Sequence, residues 1–423
     1  MKIYKVGGAV RDKILGLKAQ DNDYVVVGAT QDEMSALGFK AVGKAFPVFL
    51  HPQTHEEYAL ARKEIKTGNK HTDFKFIFTP DVTLREDLER RDLTCNAIAF
   101  DEEKKEYIDY FDGRKDIQNK ILRHINAEHF VEDPLRVLRV CRFAAQLDFE
   151  VADETLELCE KMVLSGAMEN LTAERIFEEL RKALKAKKSS KFFLMMREIG
   201  ALAKIMPEIE VLFEVPEKEQ YHPEKNTGGH VMTALDTAVT QSELVKFAVL
   251  THDVGKALTD KSKWPSHHGH ADLALKPILD LCRRLKVPNI YKDFALKAAK
   301  YHMKYFDIFE MRPRKIYDLI SAFIIGHKSY LEEYIEVCRA DFEGSACQSR
   351  EEGRKIFHAK AEFLLKARVL IDAIKASDVP NFEKLPHDEK FGTIFKEYKI
   401  RKLAEFMQNR FDFGLPSKSM KVK

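Results

Sequence analysis

The chain has few of the residues that build a disulfide framework. Six of its 423 residues are cysteines, and no two of them form a Cys-x-x-Cys pair. Tryptophan is also rare, with one residue. In so long a chain, scattered cysteines are typical of reduced, buried thiols. We therefore predict a buried thiol at each of Cys95, Cys141, Cys159, Cys282, Cys338 and Cys347.

Long apolar runs are also missing. No stretch approaches the roughly 20 apolar residues that a helix needs to cross a bilayer. The chain passes from Lys2 directly into a glycine turn instead of an apolar signal core. We therefore expect a cytoplasmic protein that makes no membrane contact.

Positive and negative charges nearly balance. The chain has 70 Lys and Arg residues and 67 Asp and Glu residues, for a net charge of +3. The total charge therefore identifies no partner. Residues 396–423 are locally basic, with eight basic and three acidic side chains. A solvated tail explains this excess as well as a contact with RNA does.

The length and the hydrophobic pattern predict the architecture. A chain of 423 residues is too long for one core, so we expect two to four domains. Short β-rich runs alternate with helical segments up to about residue 110, and amphipathic helical patterns follow after Val131. The pattern predicts an α+β protein with an α/β head and a helical remainder. Residues 63–72 are polar and turn-rich, which fits either a mobile loop or a plain hairpin connection.

Two segments near the amino end predict a metal-dependent nucleotide site. Residues 2–6 have the pattern of a strand that breaks at the glycines 7–8 and leads into a helix, where backbone N–H groups suit a phosphate. Asp21 and Asp23 precede a β-branched run at 24–27, and residues two apart on a strand face the same way. Paired carboxylates repel unless a cation separates them, and Mg²⁺ binds both carboxylates and phosphates. Taken singly, an ordinary turn and a solvated loop explain the same residues.

Two arginine-rich segments follow. The segment RRDLTCNA at 90–97 offers two guanidinium groups, which match phosphate oxygens bidentately, although a salt-bridged helix surface is the alternative. The segment EDPLRVLRVCR at 132–142 predicts a helix with Asp133 as N-cap and Pro134 at the first helical position. Asp133 and the three arginines after Pro134 would line one side of it. A solvated basic surface, with Asp133 only capping the helix, is the other interpretation.

These segments resemble the motifs of the class II tRNA nucleotidyltransferases, which belong to the polymerase β-like nucleotidyltransferase superfamily. That family contains CCA-adding enzymes and bacterial poly(A) polymerases. The segments DYFDG at 109–113 and LTAER at 171–175 also resemble the family's connector and its late helical motif. The resemblance implies a polymerase β-like head followed by a helical neck and body.

The resemblance also implies roles for individual residues. Asp21 and Asp23 would be catalytic and would hold two Mg²⁺ ions. Asp133 as acceptor and Arg136 as donor would read the Watson–Crick edge of cytosine or adenine, so that a wrong base leaves hydrogen-bonding groups unpaired. The implied nucleotide-binding residues are Gly8, Arg11, Arg91, Asp133, Arg136 and Arg139.

A second set of polar residues lies in the C-terminal half. His230 lies in a predicted helix, and the segment THDVGK at 251–256 follows an apolar run. Adjacent His and Asp side chains can reach one cation, and a distant His can complete the ligand set, although a lone histidine on a helix is usually structural. Four more histidines and one aspartate are candidates: His267, His268, His270, His302 and Asp341.

This pattern resembles the HD phosphohydrolase superfamily, in which a His, a His-Asp pair and a late Asp bind a divalent metal. The resemblance implies a metal site formed by His230, His252, Asp253 and Asp341. Imidazole and carboxylate ligands accept transition metals, so Mn²⁺, Co²⁺ or Ni²⁺ would fit, and we favour Ni²⁺. The metal would activate water against a phosphoester.

A class II head joined to an HD unit resembles the multifunctional, proteobacterial type of CCA-adding enzyme. The implied function is template-independent addition of CCA to the tRNA 3′ end from CTP and ATP. The HD unit would act as a 2′,3′-cyclic phosphodiesterase, 2′-nucleotidase and phosphatase in the repair of tRNA ends. A poly(A) polymerase or a partial CC- or A-adding enzyme is the alternative, and a non-catalytic RNA-binding protein is the third interpretation.

The same resemblance implies a division of the chain into four parts, with tRNA, CTP and ATP as partners. Residues 1–140 would form the nucleotidyltransferase head and residues 141–212 the helical neck and body. Residues 213–356 would form the HD domain and residues 357–423 a helical tail. Both a monomer and a homodimer fit the sequence.

Overall fold

The computed structural model describes residues 1–18, 21–42, 48–66, 74–218, 225–238, 240, 242–345, 350–384 and 389–408. It divides into two compact units, one at residues 1–205 and the other at residues 206–423. The finer division into four parts remains a prediction. Residues 409–423, which hold half of the basic side chains counted in the tail, lie outside the described residues.

The first unit contains a mixed seven-stranded sheet with the strand order β3-β4-β5-β2-β1-β8-β9. Strands β2 and β5 run parallel, and each other neighbouring pair is antiparallel. The seven strands are β1 (Lys2–Val6), β2 (Asp23–Val27), β3 (Lys40–Val42), β4 (Val48–Leu50), β5 (Glu57–Leu60), β8 (Ile98–Asp101) and β9 (Glu106–Asp109). A separate antiparallel pair consists of β6 (Lys63–Lys66) and β7 (Phe74–Ile77), and a short parallel pair consists of β10 (Ile121–Leu122) and β11 (Glu150–Val151).

Strand β2 is buried on both faces, which explains its run of β-branched residues. Val25 packs into one apolar cluster, whereas Tyr24 and Val26 pack into a second cluster. Side chains alternate between the two faces of a strand, so the two clusters lie on opposite faces of β2. The strand that begins at Asp23 is therefore held between two apolar layers.

The helices of the first unit carry the remaining motif segments. Helix α3 begins with a capping box, in which Thr83 and Glu86 satisfy each other's backbone N–H groups. Helix α6 has Pro134 as its N-cap, so its regular part begins one residue later than predicted. The helices are α1 (Gly8–Ile14), α2 (Gln31–Ala36), α3 (Leu84–Glu89), α4 (Gly113–Asn119), α5 (Ala127–Phe130), α6 (Leu135–Leu147), α7 (Asp153–Leu164), α8 (Ala173–Leu184), α9 (Ser190–Glu198) and α10 (Ala201–Ile205).

The second unit is almost entirely helical. Helix α12 packs on α18, and helix α13 packs on both α16 and α18. Its α-helices are α11 (Pro207–Glu210), α12 (Thr227–Thr237), α13 (Glu243–Thr251), α14 (His270–Leu273), α15 (Leu275–Arg284), α16 (Asn289–Tyr301), α17 (Pro313–Ala322), α18 (Leu331–Gly344), α19 (Arg350–Ala373) and α20 (Glu389–Gln408). A short hairpin joins β12 (Ile324–Ile325) to β13 (Lys328–Ser329).

The α+β prediction is confirmed, as are the buried thiols at five of the six cysteines. Cys347 lies outside the described residues. Among the helices that the structure describes, none combines the length and the apolar character that a membrane span requires. The mobile-loop interpretation of residues 63–72 is wrong for Lys63–Lys66, which forms a strand paired with Phe74–Ile77, and residues 67–72 lie outside the described part.

Gly255 allows two elements of the second unit to approach closely. It lies in the 3₁₀ helix Val254–Leu258, which packs against α14. A Cβ atom at Gly255 would lie 2.0 Å from the carbonyl oxygen of His270 and 2.5 Å from the amide nitrogen of Ala274. Both atoms belong to the backbone, so neither can move aside as a flexible side chain could. The glycine that follows the His-Asp pair is therefore a packing requirement.

We expect Gly255→Ala to lower the free energy of unfolding of the second unit by about 2 kcal/mol or more, because the new methyl group collides with the backbone of α14. Urea denaturation followed by circular dichroism measures this loss. The matched control is Gly392→Ala in helix α20, where, among the described residues and apart from the chain neighbours and the helix's own backbone, no atom lies within 4 Å of the added Cβ. The control should be neutral or stabilising by up to about 1 kcal/mol. Equal stability of both variants would contradict the packing argument.

Candidate functional site

One cavity of about 630 Å³ lies in the first unit. This volume is within the usual range for small-molecule and cofactor sites. It brings together seven of the eight residues predicted for catalysis and nucleotide binding, which are Gly8, Arg11, Asp23, Arg91, Asp133, Arg136 and Arg139. The eighth residue, Asp21, lies on the exposed bend before β2 and does not line this cavity.

The turn between β1 and α1 forms one wall of the cavity. Gly7 has φ +73°, a conformation that glycine adopts without strain. A Cβ atom at Gly7 would lie 3.1 Å from Arg91 Nη1 and 4.0 Å from Asp23 Oδ2. The absent side chain therefore leaves the space in which a guanidinium group, a carboxylate and the glycine backbone meet.

The carboxylate of Asp23 has the electrostatic environment of a cation ligand. Partial burial raises its pKa, the guanidinium of Arg91 lowers it, and the charge of Asp21 raises it further, so the pKa lies above its ordinary value. The ionised form of Asp23 is thus not fully compensated by the protein. Carboxylates of this kind suit a hard divalent cation such as Mg²⁺. Strand β2 begins at Asp23 and does not include Asp21. That the side chains of Asp21 and Asp23 face the same way therefore remains a prediction.

A chain of hydrogen bonds joins the glycine turn to helix α6. Arg11 donates from Nη1 to Asn96 Oδ1 at 2.7 Å, and Asn96 donates from Nδ2 to Asp92 Oδ1 at 3.1 Å. Asp92 Oδ2 then accepts from Arg139 at 2.8 Å (Nε) and 2.7 Å (Nη2). Burial alone would raise the pKa of Asp92, but Arg139 and Asn96 hold it well below its ordinary value. The four side chains are therefore positioned as one network.

Asp87 positions the two arginines at the end of α3. Its buried carboxylate accepts from Arg90 Nη2 at 2.6 Å and from Arg91 Nη2 at 3.3 Å. Burial alone would raise the pKa of Asp87, yet the two guanidinium groups lower it below its ordinary value. The alternative of a salt-bridged helix surface is thus wrong for Asp87, which is 1 % exposed and lines the cavity.

The start of α6 presents Asp133 and Arg136 to the same cavity. Asp133 Oδ1 accepts from the amide nitrogen of Leu135 at 3.1 Å, so the predicted capping interaction is present. Its other oxygen accepts from Arg175 Nη2 at 2.7 Å. Arg136 donates to two backbone carbonyl oxygens, those of His129 at 2.7 Å and Arg90 at 2.6 Å. Both side chains are held by the protein's own polar groups.

Several cavity residues could not be assigned from the sequence. Arg142 belongs to the predicted basic stripe, but it is buried and its Nε donates to Glu179 Oε2 at 2.5 Å. The ring of Phe143 lies 4.0 Å from the Arg142 guanidinium carbon. For Arg142 and Phe143 the sequence offered only their helical spacing in α6. That spacing does not show which of the side chains are buried. Other unassigned residues that line the cavity include Arg62, Asp87, Arg90, Asp92, Asn96 and Arg175.

The second unit brings together the four residues predicted for the HD site. His230 on α12 lies 2.9 Å from Asp341 on α18, measured from Nε2 to Oδ1. His252 at the end of α13 places Nε2 3.2 Å from Asp253 Oδ2 and 3.5 Å from Asp341 Oδ1. Two ligands about 2.1 Å from one ion lie about 3.0 Å apart at a right angle and about 3.4 Å apart at the tetrahedral angle. These separations fit a shared divalent cation.

The charges around His252 also favour a cation. Its Nδ1 lies 2.7 Å from the carbonyl oxygen of Val249, which can only accept a hydrogen bond, so Nδ1 carries a proton and Nε2 faces the carboxylates. Burial alone would lower the pKa of His252, but Asp253 and Asp341 raise it to about 10. The two carboxylates thus hold a positive charge at Nε2. A divalent cation would take the place of that proton.

Lys256 and Glu217 form the polar surroundings of Asp253. Lys256 Nζ lies 2.8 Å from Asp253 Oδ2 and 2.6 Å from Glu217 Oε1. Thr227, at the start of α12, donates its hydroxyl to Glu217 Oε1 at 2.7 Å. All four residues are buried. Glu217 was not predicted, because nothing in the sequence places it near the His-Asp pair.

Family models match two segments in the first half of the chain, and named relatives align with most of it. Residues 3–123 match the family "Poly A polymerase head domain", and residues 148–213 match the family "Probable RNA and SrmB- binding site of polymerase A". A protein from Acinetobacter baumannii (strain SDF), named Multifunctional CCA protein, is 42 % identical over 413 residues, which are 96 % of this chain and 98 % of that protein. The Multifunctional CCA protein of Vibrio vulnificus (strain YJ016) is 47 % identical over 350 residues, 81 % of this chain and 86 % of that protein.

Solved structures share the fold. The Bacillus stearothermophilus CCA-adding enzyme in complex with CTP matches with a TM-score of 0.62 and 22 % identity, covering 97 % of this chain and 93 % of that one. The Thermotoga maritima CCA-adding enzyme complexed with tRNA matches with a TM-score of 0.59 and 18 % identity, covering 97 % and 90 %. At these identities the likeness shows a shared fold and nothing further.

We expect Asp92→Asn to weaken binding of a nucleoside triphosphate at least tenfold, because Arg139 loses its carboxylate partner. Stability should fall by about 2 kcal/mol, since a partly buried guanidinium is left without its counter-charge. Titration calorimetry with CTP and urea denaturation measure the two effects. The control is Asp32→Asn, which changes an exposed carboxylate in α2. Unchanged affinity and stability in Asp92→Asn would contradict the role of the network.

The same substitution changes the pH dependence of stability. Because the folded-state pKa of Asp92 is lowered, its contribution is complete above the ordinary carboxyl pKa and is lost as the pH falls through the folded-state value. The Asp92→Asn variant lacks this contribution, so its stability should fall less steeply than that of the parent below about pH 4. Parallel pH profiles of the two proteins would contradict the assignment.

Proposed function

The chain belongs to the multifunctional CCA protein family, and from this premise we propose that it adds C, C and A to the 3′ end of tRNA from CTP and ATP. One observation carries the proposal. Motif residues from Gly8 to Arg175 are separated by more than a hundred positions, yet they line one cavity of about 630 Å³. The cavity combines groups for a triphosphate, for a divalent cation and for the edge of a base.

The triphosphate would lie against the glycine turn and the arginines beside it. Gly8 offers its backbone without a side chain, and Arg11 and Arg91 offer guanidinium groups, which match phosphate oxygens bidentately. Asn96 and Asp87 would keep these two arginines in place through the hydrogen bonds described above. The cost of ordering the arginines is then met on folding rather than on binding.

Asp21 and Asp23 would hold Mg²⁺ ions, which would lower the pKa of the tRNA 3′-hydroxyl and neutralise the triphosphate during in-line transfer. The raised pKa of Asp23 supports this role. Asp23 lies beside Arg91 and the glycine turn, where the reacting phosphate would be. Asp21 would complete the site from the bend before β2.

Asp133, Arg136 and Arg139 would select the base. The Asp133 carboxylate accepts two hydrogen bonds and has about four acceptor positions, so it can also accept from a base amino group. Arg136 and Arg139 would provide donors on the same side. A base with the wrong donor and acceptor pattern would leave buried groups unpaired, which is the basis of selection without a nucleic-acid template.

A poly(A) polymerase or a partial CC- or A-adding enzyme would use the same cavity residues, so the product distinguishes these functions. A non-catalytic RNA-binding protein would need neither Asp21 nor Asp23. The tRNA would bind through its phosphate backbone, with an affinity that falls as salt rises. Whether the chain acts as a monomer or a homodimer, and whether it acts in the cytoplasm, remain predictions.

A metal-dependent phosphohydrolase is the second function that we propose, and the convergence of His230, His252, Asp253 and Asp341 favours it. A transition-metal ion such as Ni²⁺ bound there would activate water against a phosphoester. Lys256 lies beside Asp253 and would add positive charge for a phosphate. The proposed substrates are 2′,3′-cyclic phosphates and 2′-nucleotides, as in repair of tRNA ends.

The extension assay uses tRNA that lacks its terminal triplet, with CTP alone, ATP alone or both, with and without EDTA. We expect growth by three nucleotides only when both nucleotides and Mg²⁺ are present. Asp23→Asn should reduce incorporation at least about 10³-fold, because the metal ligand is lost. The control Asp32→Asn should extend normally. Long A tails would identify a poly(A) polymerase, and unchanged incorporation by Asp23→Asn would exclude the catalytic assignment.

We expect His252→Ala to abolish metal-dependent hydrolysis of a 2′,3′-cyclic nucleotide while leaving tRNA extension unchanged, since its imidazole is a ligand only in the second unit. Phosphate release and tRNA extension are measured on the same preparation. The matched control is His268→Ala, which removes an exposed imidazole that does not belong to the group of His230, His252, Asp253 and Asp341. Loss of both activities in His252→Ala would argue against separate sites, and retained hydrolysis would remove His252 from the metal site.

A further inference from the structure

One phenyl ring in the cavity of the first unit lies among three guanidinium groups. Phe143 is on α6, is 6 % exposed and lines the cavity. Its ring centroid lies 4.0 Å from the guanidinium carbon of Arg142, 5.1 Å from that of Arg11 and 5.5 Å from that of Arg139. All three distances are within the about 6 Å over which a cation is attracted to an aromatic ring. Arg11 comes from α1, so tertiary packing brings it to this ring.

The same cavity holds an excess of positive charge. Among the described residues, eight arginines and five acidic side chains line it. Burial lowers the pKa of Arg142, Glu179 raises it, and the charge of Arg139 lowers it again, so the pKa of Arg142 lies below its ordinary value. Arg139 and Arg142 are therefore close enough to repel each other. Holding such side chains together requires groups that attract each of them.

Carboxylates supply part of that attraction. Each of the three guanidinium groups has one carboxylate partner at 2.5 to 2.7 Å, and the pairs are Arg11 with Asp12, Arg139 with Asp92 and Arg142 with Glu179. A carboxylate fixes a guanidinium group but also offsets its charge. A phenyl ring attracts a cation through its quadrupole and carries no net charge. Phe143 can therefore hold arginines in place without reducing the positive charge of the cavity.

Two of the three arginines belong to the nucleotide site proposed above. Arg11 lies beside the glycine turn, where its Nη2 is 3.5 Å from the position of a Cβ atom at Gly8, and it is proposed to bind the phosphates. Arg139 is proposed to help select the base. The ring of Phe143 lies within 5.5 Å of both guanidinium carbons. It therefore connects the two ends of the site by a path that is separate from the hydrogen bonds described above.

We propose that Phe143 is a positioning residue for the nucleoside triphosphate, whose ring holds Arg11 and Arg139 by cation–π attraction and leaves their charges available to the nucleotide. The proposal deepens the proposed nucleotidyltransferase function and rests on it. Its rival is a ring that only fills space in the wall of the cavity. Space filling depends on the size of the side chain, whereas cation–π attraction depends on the electron density at the face of the ring.

The experiment changes that electron density and leaves the shape of the ring nearly intact. Phe143 in the full chain is replaced with phenylalanine that carries one, two or three fluorine atoms on its ring, because fluorine withdraws electrons from the ring face. Titration calorimetry with CTP measures the affinity. We expect the dissociation constant to rise with each added fluorine, by about fivefold or more for the trifluorinated ring. A dissociation constant that does not depend on the number of fluorine atoms would overturn the proposal.

The matched control carries the same fluorinated series at Phe193. This ring is buried in α9, lies edge-on to Phe192 with 5.2 Å between centroids and is not among the residues that line the cavity. Its series should bind CTP with unchanged affinity, and an equal rise at both positions would overturn the assignment. Circular dichroism melting is followed throughout. A melting temperature that falls in the Phe143 series while the affinity stays constant would restrict the ring to folding and would also overturn the proposal.

Phe143→Leu removes the ring and keeps an apolar side chain. We expect its CTP dissociation constant to rise by about fivefold or more, because both guanidinium groups lose the attraction of the ring. A folded Phe143→Leu protein that binds CTP as tightly as the parent would overturn the proposal. If this variant does not fold, the fluorinated series decides, since its members keep the shape of the native ring.

The outcome separates this proposal from the proposed nucleotidyltransferase function. CTP affinity that depends on fluorine in a chain that does not extend tRNA would keep the role of Phe143 and refute the nucleotidyltransferase. Normal extension of tRNA by every member of the fluorinated series, with constant CTP affinity, would refute the role of Phe143 and leave the nucleotidyltransferase standing.

Discussion

The carboxylate of Asp92 is the interaction on which the arrangement of the cavity in the first unit depends. One oxygen accepts from Arg139, and the other accepts from the backbone of Leu93 and the side chain of Asn96. Asn96 in turn orients Arg11 beside the glycine turn. A buried carboxylate is tolerated only when it is paired, and a broken network costs more than its separate bonds suggest. The groups proposed to hold the phosphates and those proposed to read the base are therefore placed by one buried charge.

The direction of the pKa shift distinguishes Asp87 and Asp92, which stabilise the pocket, from Asp23, whose negative charge the protein does not fully compensate. Asp87 and Asp92 are buried, and their pKa values are lowered because arginines already neutralise them. The pKa of Asp23 is raised, because Arg91 only partly offsets burial and the charge of Asp21. Residues of one type in one cavity thus have opposite shifts. A bound cation would compensate Asp23, whereas Asp87 and Asp92 have no need of one.

Local sequence patterns predicted the strands and helices that carry the motifs. They did not predict which side chains are buried or which distant residues come into contact. The β-branched run after Asp23 predicted a buried strand, and the capping role of Asp133 followed from the proline beside it. The charge run around Asp87 gave no sign that this side chain is 1 % exposed. His270 and His302 were only candidates, because no local spacing shows that α14 and α16 bring them to Asp253. Such contacts depend on tertiary packing, which a period of 2 or 3.6 residues does not encode.

Arg136 connects the two ends of the pocket through the main chain. Its guanidinium donates to the carbonyl oxygen of Arg90, the residue directly before Arg91. Arg136 is proposed to read the base, and Arg91 is proposed to hold the phosphates. The distance between them is therefore set by a contact with the backbone and not by a contact between two flexible side chains. Selection by unpaired hydrogen-bonding groups needs such rigidity, because a movable arginine could follow a wrong base and restore its hydrogen bonds. A protein that reads a base without a nucleic-acid template must keep its own donors and acceptors fixed, and in the proposed function the Arg136–Arg90 contact would do so.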